Sequence, residues 1–252
     1  MRLKLTIDRG NTAVKAALWA EDGSMVSIVK GDDDLPAGDL AETVRERYLK
    51  DGDSFAAIAW CSVVASDHAE DEASLCGLAD KVVELRPTEG LGVEIAYLTP
   101  QTLGADRLAA ALGAVEIAGT GRPILVSDIG TAVTYDYIAP GGRYLGGNIA
   151  PGIDLRLRAL AAFTDALPAV SVEGGDIPLW GRTTAEAMRS GAVRGVAAEL
   201  AYYHAAAGEK CIAVLTGGSA ELLANENILT FDYTHDPYLV HKGLYSIIKD
   251  EN

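Results

Sequence analysis

Asp8-Arg9-Gly10-Asn11-Thr12-Ala13-Val14 and Asp128-Ile129-Gly130-Thr131-Ala132-Val133 are two versions of one motif, about half the chain apart. Each follows an apolar, strand-like run, Leu3 to Ile7 in one case and Ile124 to Ser127 in the other. Each then leads into a second strand and a polar or glycine turn, Glu21-Asp22-Gly23 or Pro140-Gly141-Gly142, so each is expected at the tip of a β-hairpin. Glycine removes the Cβ that would keep backbone N–H groups from an anion, threonine adds a hydroxyl donor, and aspartate supplies oxygen to a cation. A single Asp-x-Gly is a common turn tripeptide. Packing alone does not require the same Asp, Gly and Thr in both halves, and the pair points to facing hairpins that grip a nucleotide's phosphates.

The chain has 252 residues, 49% of them hydrophobic, enough for one large domain or two of ordinary size. The repeat favours two, 1–118 and 119–252, each with its own phosphate hairpin. A formal charge of -15 and a pI near 4.6 argue against nonspecific binding to nucleic acid or acidic membranes, which needs a basic face. Cys61, Cys76 and Cys211 are odd in number and widely spaced, and the four histidines are scattered, so neither a disulfide framework nor a zinc site is indicated. The N-terminal apolar run is broken by Asp8, and no uninterrupted span of ~18 apolar residues follows. The expectation is a soluble cytoplasmic protein.

Strands run to about Lys30, and Gly31 to Gly38, with three consecutive aspartates, reads as an exposed loop. A helix is expected over Leu40 to Leu49, a strand buried on both faces over Phe55 to Val64, and a helix over Gln101 to Ile117. The cluster Gly119 to Pro123 marks the half-way boundary. In the second half, helices are expected over Leu155 to Ala162 and Thr184 to Ala207, a strand over Ile212 to Leu215, and a closing helix over Pro237 to Lys249. Between the last two, Thr216-Gly217-Gly218-Ser219 reads either as room for a ligand at the start of a helix or as a tight strand-to-helix turn.

The chain resembles the type III pantothenate kinases of the acetate and sugar kinase, heat-shock chaperone and actin superfamily. The resemblance is carried by Asp8-x-Gly10-Asn11-Thr12-x-x-Lys15, Tyr97-x-x-Pro100-x-x-Leu103-Gly104-x-Asp106-Arg107 and Asp128-x-Gly130-Thr131-Ala132-x-Thr134. It continues through Gly146 to Gly152, Thr184-x-x-Ala187-x-x-x-Gly191 and Thr216-Gly217-Gly218. The first motif marks only the superfamily; Leu103 to Arg107 is the specific part.

This resemblance implies an α/β chain with a duplicated ribonuclease-H-like (actin-like ATPase) fold, two mixed sheets flanked by helices with a central cleft. It implies a homodimer with the active site completed across the interface. The implied reaction is transfer of the ATP γ-phosphoryl group to the primary hydroxyl of pantothenate, giving 4'-phosphopantothenate in the first step of coenzyme A synthesis. Such a reaction needs phosphate donors, a divalent metal and a carboxylate that accepts the hydroxyl proton.

By resemblance the proton acceptor is Asp106, beside Gly104 at an expected helix start; read without the family, it is equally a capping carboxylate. Asp8, Arg9, Gly10, Asn11, Thr12, Ala13, Val14 and Lys15 are expected to cradle ATP, with Asp8 placing Mg2+ or a similar divalent ion through water and Thr131 approaching from the other hairpin. Lys15 points either to the site or to solvent. Arg9 stands where an apolar residue is expected, and its direction is open. Asp128 maps onto the family's site for a monovalent cation, K+ or NH4+. Pantothenate would meet Tyr97, Gly104, Ala105, Asp106 and Arg107, and Thr184 from the other subunit; as a residue in isolation, Thr184 equally serves as a helix cap. Two other readings use the same hairpins: a superfamily kinase for another small hydroxyl or carboxylate acceptor, and a non-catalytic nucleotide-binding accessory protein.

Overall fold

The computed structural model describes residues 2–50, 53–64, 68–88, 90–226 and 228–249. It contains, in chain order, β1 (Lys4–Arg9), β2 (Val14–Trp19), β3 (Met25–Gly31), α1 (Ala37–Tyr48), β4 (Ala57–Ser62), α2 (His68–Cys76), β5 (Val82–Glu84), β6 (Glu94–Ile95), a 3-10 turn (Pro100–Thr102) and α3 (Ala105–Ala118). There follow β7 (Ile124–Asp128), β8 (Ala132–Ala139), β9 (Arg143–Pro151), α4 (Ile153–Phe163), α5 (Thr184–Ala207), β10 (Ile212–Thr216), α6 (Ala220–Asn225), β11 (Tyr233–His235) and α7 (Leu239–Ser246). Two compact units result, 1–117 with 238–252 and 118–237.

The duplication is explicit in the strand pairing. In the first unit the order is β3-β2-β1-β4-β5, with β1, β2 and β3 antiparallel in sequence and β4 and β5 added parallel on the other side of β1. In the second unit β9-β8-β7-β10-β11 repeats that order and those directions, with β7 in the place of β1. This is the duplicated ribonuclease-H-like arrangement.

Alternation along β1 assigns its two faces. Leu5 and Ile7 join Val14, Ala16 and Leu18 of β2 and Ile58 and Trp60 of β4 in an apolar core that Leu40, Ala41 and Val44 of α1 and Leu75 of α2 complete. Lys4, Thr6 and Asp8 point to the other face. That side is covered in part by α7, which packs on β1 and β4. The approach of α3 and α7 needs glycine: a Cβ on Gly243 would lie 1.8 Å from the Ala109 carbonyl oxygen, and one on Gly113 would lie 2.2 Å from that of Leu239. In the second unit, Leu125, Ile129 and Val133 pack with Ile153 and Leu157 of α4 and Val193, Val196 and Leu200 of α5.

Several expectations change. Residues from Tyr238 on, read as part of the second half, belong to the first unit, because α7 closes over β1. The helix expected from Gln101 begins at Ala105, since Leu103 is extended and the preceding residues form the 3-10 turn. The loop after β3 is shorter than expected; α1 starts at Ala37, and Ala37 and Gly38 are already buried, while Asp32, Asp33 and Asp34 are exposed.

Candidate active site

Register builds the site in the first unit. Asp8 on β1 lies opposite Lys15 on β2 and beside Cys61 on β4, so one residue from each of three adjacent strands forms a row, Lys15–Asp8–Cys61, at the end of the strands. The hairpin beyond it closes with the Gly10 N–H donating to the Ala13 carbonyl at 3.0 Å, which leaves Asn11 and Thr12 exposed at the tip. Neither a positive φ nor crowding demands glycine at position 10: a Cβ there would meet nothing nearer than the Ala13 oxygen at 3.4 Å. What glycine provides is open backbone on the outer side, the property an anion cradle requires.

Asp8 is partly buried. Desolvation raises its pKa to about 6; Lys15 opposes the rise, the negative charge of Asp106 adds to it, and a hydrogen bond from the Cys61 thiol opposes it. The Cys61 Sγ donates to Asp8 Oδ1 at 3.7 Å. Burial and the neighbouring carboxylates push that thiol well above its ordinary pKa, so it remains a protonated donor. Asp8 thus has a second carboxylate near enough to raise its proton affinity and a lysine opposite. Lys15 is half-buried and shares this face with Asp8, on which its charge acts.

Asp106 is the second residue of α3, and its Oδ1 accepts the Arg107 backbone N–H at 2.7 Å. Gly104 makes that geometry possible, because a Cβ there would fall 2.5 Å from the same oxygen. The Arg107 side chain is buried, with its guanidinium carbon 5.9 Å from the centre of the Tyr97 ring, a cation–π arrangement. Asp8, Lys15, Tyr97, Gly104, Ala105, Asp106 and Arg107 thus all belong to one unit, and charge coupling links Asp8 to both Lys15 and Asp106.

Arg9 does not join them through its side chain. It alternates to the opposite face and forms a buried ion pair with Asp71 of α2, whose other oxygen accepts the Ala37 N–H at 3.2 Å where α1 begins. The expectation of a cradle residue narrows to its backbone.

In the second unit the corresponding hairpin is tighter. The Gly130 N–H donates to the Ala132 carbonyl at 3.0 Å, leaving Thr131 alone at the tip and exposed. Asp128 ends β7 beside Thr216 of β10, and its N–H donates to Thr134 Oγ1 at 3.4 Å. Gly217 has φ +93°, and a Cβ there would lie 2.3 Å from Asp128 Oδ1, so this glycine is fixed by packing as a strand-to-helix turn. α6 after it has only six residues. Thr184 is the first residue of α5 and is exposed, but Thr183 is the cap: its side chain accepts the Glu186 N–H at 3.2 Å, while Glu186 accepts the Arg182 N–H. The Thr184 hydroxyl is not used in capping the helix.

The sequence profile of the type III pantothenate kinases matches residues 4–206. The chain belongs to the type III pantothenate kinase family. The type III pantothenate kinase of Phocaeicola vulgatus is 34% identical over 249 residues, covering 98% of each chain. Among solved structures, a conserved Baf family protein from Campylobacter jejuni superimposes with a TM-score of 0.60 at 22% identity, covering 97% of both chains. Component A of the (R)-2-hydroxyglutaryl-CoA dehydratase of Acidaminococcus fermentans gives 0.55 at 16% identity, covering 98% of this chain and 96% of that one. These two likenesses establish the fold, that of the actin-like ATPases.

Cys61, Asp71 and His241 escape the sequence reading of this pantothenate kinase family member. Each contributes through a partner more than 30 residues away in sequence: Asp8, Arg9 and Ala37, and Thr6 respectively.

Two predictions follow from the charges. Arg9→Met leaves Asp71 buried without its counter-charge and should lower the unfolding free energy by about 3–5 kcal/mol, most of it recovered in Arg9→Met/Asp71→Asn; urea midpoints of the three proteins check this. For Asp8, a folded pKa of about 6 lies above the unfolded value of 3.8, so the folded chain binds the extra proton and stability falls as pH rises through that window. Metal-free Asp8→Asn should therefore melt at a higher temperature than the parent at pH 7.5, with the advantage gone below pH 4.

Proposed function

We propose that the protein transfers the γ-phosphoryl group of ATP to the primary hydroxyl of pantothenate, the first step of coenzyme A synthesis. The observation that carries this reading is the charge-coupled group Asp8, Lys15 and Asp106 beside the buried Arg107, in a chain of the type III pantothenate kinase family.

In this reading the exposed backbone at Gly10, the Asn11 and Thr12 side chains and Lys15 hold the ATP phosphates, and Thr131 makes a further phosphate contact. Asp8 suits a divalent cation because burial and the nearby charge of Asp106 raise its cost of carrying charge, and Asp8 is the residue that would hold Mg2+ through water. A divalent ion supplies charge neutralisation on the phosphate oxygens when bound. Arg107 and Tyr97 orient the pantothenate carboxylate and chain. The substrate oxygen attacks the γ-phosphorus, the bond from that phosphorus to the β-γ bridging oxygen breaks, ADP leaves, and the hydroxyl proton passes to Asp106. An ordinary low carboxylate pKa suffices for that step, because the hydroxyl becomes acidic only as the new phosphorus–oxygen bond forms.

Asp128 is the proposed ligand of a monovalent cation, K+ or NH4+, supported by its position beside two threonines rather than a lysine. The proposed assembly is a homodimer in which Thr184 reaches the partner's substrate. Its support is apolar surface: Leu155, Leu160 and Phe163 of α4 border a groove with Gly191 and Ala192 of α5, and Phe163 is 87% exposed. Trp180, 81% exposed, stands four residues before Thr184. No helix among the described residues is long and apolar enough to cross a membrane, and a cytoplasmic setting completes the reading.

The test is ADP release with ATP, Mg2+ and pantothenate, in K+ and in Na+ as sole monovalent cation. Turnover should require pantothenate and be faster in K+; ADP release indifferent to pantothenate would overturn the reaction, and equal rates would remove Asp128 from cation binding. Asp106→Asn should fold and bind ATP yet lose at least about 100-fold in kcat. Sedimentation of the same preparation should give twice the chain mass of 26.4 kDa.

A further inference from the structure

One buried polar group lies outside the machinery described so far. On the face of the sheet that carries Asp8, the row next to Lys15–Asp8–Cys61 is Ala17–Thr6–Ala59, and the row after it contains Trp19 and Lys4. His241, the third residue of α7, is 2% exposed and lies over the middle row: its Nδ1 is 3.0 Å from Thr6 Oγ1. The Trp19 Nε1–H donates to the same oxygen at 2.9 Å. His241 Nε2 is buried with no hydrogen-bond partner among the described residues.

The hydrogen-bond capacities decide the ring's proton. An indole nitrogen only donates, so Thr6 Oγ1 accepts from Trp19, and it has one more lone pair and one proton. If the Thr6 proton went to His241 Nδ1, the ring would carry its own proton on Nε2, a buried N–H with no acceptor. If Nδ1–H donates to Thr6, the Thr6 proton is left for the Ala17 carbonyl at 3.4 Å, and Nε2 keeps a lone pair. Lys15 separates these alternatives. It is two residues from Ala17 on the same face of β2, diagonal to Thr6, and a lysine side chain spans the ~7–8 Å between diagonal neighbours. A cation on that side favours a lone pair and disfavours an N–H.

We propose that His241 is a positioning residue for Lys15: Thr6 holds its ring in the Nδ1–H tautomer, which leaves the buried Nε2 lone pair, unpartnered in this structure, as the acceptor that the Lys15 ammonium takes up when it binds phosphate on the Asp8 face. Burial and the Lys15 charge hold the ring neutral, with the pKa down to about 3. The closing helix α7 is thereby tied to the first phosphate hairpin. The kinetic consequence rests on the kinase reading, in which Lys15 contacts phosphate; the tautomer does not.

Two measurements test it. Nitrogen-15 spectra of the ring in the intact protein at pH 7 should show a neutral imidazole with the proton on Nδ1, the less common tautomer of free histidine. A proton on Nε2 overturns the proposal whether or not the protein phosphorylates pantothenate. The second measurement is steady-state kinetics of His241→Leu, His241→Asn and His241→Gln. A contact made to phosphate-bound Lys15 before and during transfer acts on binding, so His241→Leu should raise KM for ATP about tenfold with kcat nearly unchanged. His241→Gln, whose amide oxygen can stand in for Nε2, should restore most of the loss. His241→Asn, which replaces only the Nδ1 donor, should not. Rescue by Asn and not Gln, or equal KM in all three, would mean that the ring serves only to pack α7 against Thr6.

Discussion

The period-two alternation of β1 constrains everything else. In six residues it sends Leu5 and Ile7 into an apolar core and Lys4, Thr6 and Asp8 to the opposite face of the same sheet. Because β1 is the central strand, with β2 antiparallel on one side and β4 parallel on the other, every residue on it has a fixed neighbour on each flank. Asp8 can therefore meet Lys15 and Cys61 and no other pair. A slip of one residue would place Ile7 at the site and bury Asp8 among leucines.

That placement works against folding. A partly desolvated carboxylate whose pKa sits near 6, close to a second carboxylate, destabilises the metal-free chain at neutral pH. The strain is offset on the reverse face, where the apolar core is continuous and the Arg9–Asp71 pair fastens the root of the hairpin to α2 and the first residue of α1. A buried ion pair of this kind contributes little net stability against an apolar substitute, yet removing one partner is expensive. Its effect is to fix where the hairpin leaves the sheet, adjoining the residue that the cation site depends on.

The hairpins, the buried β4 and the long α5 were legible in the sequence because each is a local pattern. Asp-x-Gly between apolar runs, six consecutive buried residues, and helical spacing from Thr184 to Ala207 need no knowledge of the rest of the chain. Asp106 and Arg107 stand out in the sequence only through the family string that contains them. What was not legible depends on distant pairing. Cys61 looks like a scattered cysteine until β4 is set in register with β1, and Arg9 looks misplaced until Asp71, 62 residues later, is packed beneath it. The start of α3 was misread because Leu103 is apolar and in phase with the helix, although its backbone is extended. That the closing helix packs with the first unit is invisible in the sequence, which displays chain order rather than packing.

The two halves share a topology but have diverged at the position that matters. In the first, Asp8 is flanked by Lys15 and the thiol of Cys61; in the second, Asp128 is flanked by the hydroxyl-bearing Thr134 and Thr216. Asp8 has a cation opposite and a second carboxylate near in a partly desolvated place, the surroundings on which the proposed divalent-ion role rests. Asp128 has two threonines as strand neighbours and Gly217 packed against its carboxylate, the surroundings on which the proposed monovalent-cation role rests. The tips differ in length, since Asn11 and Thr12 lie between the closing groups of the first and Thr131 alone lies between those of the second. Duplication supplied the same strand ends twice, and substitution of their immediate neighbours has given the two carboxylates different surroundings.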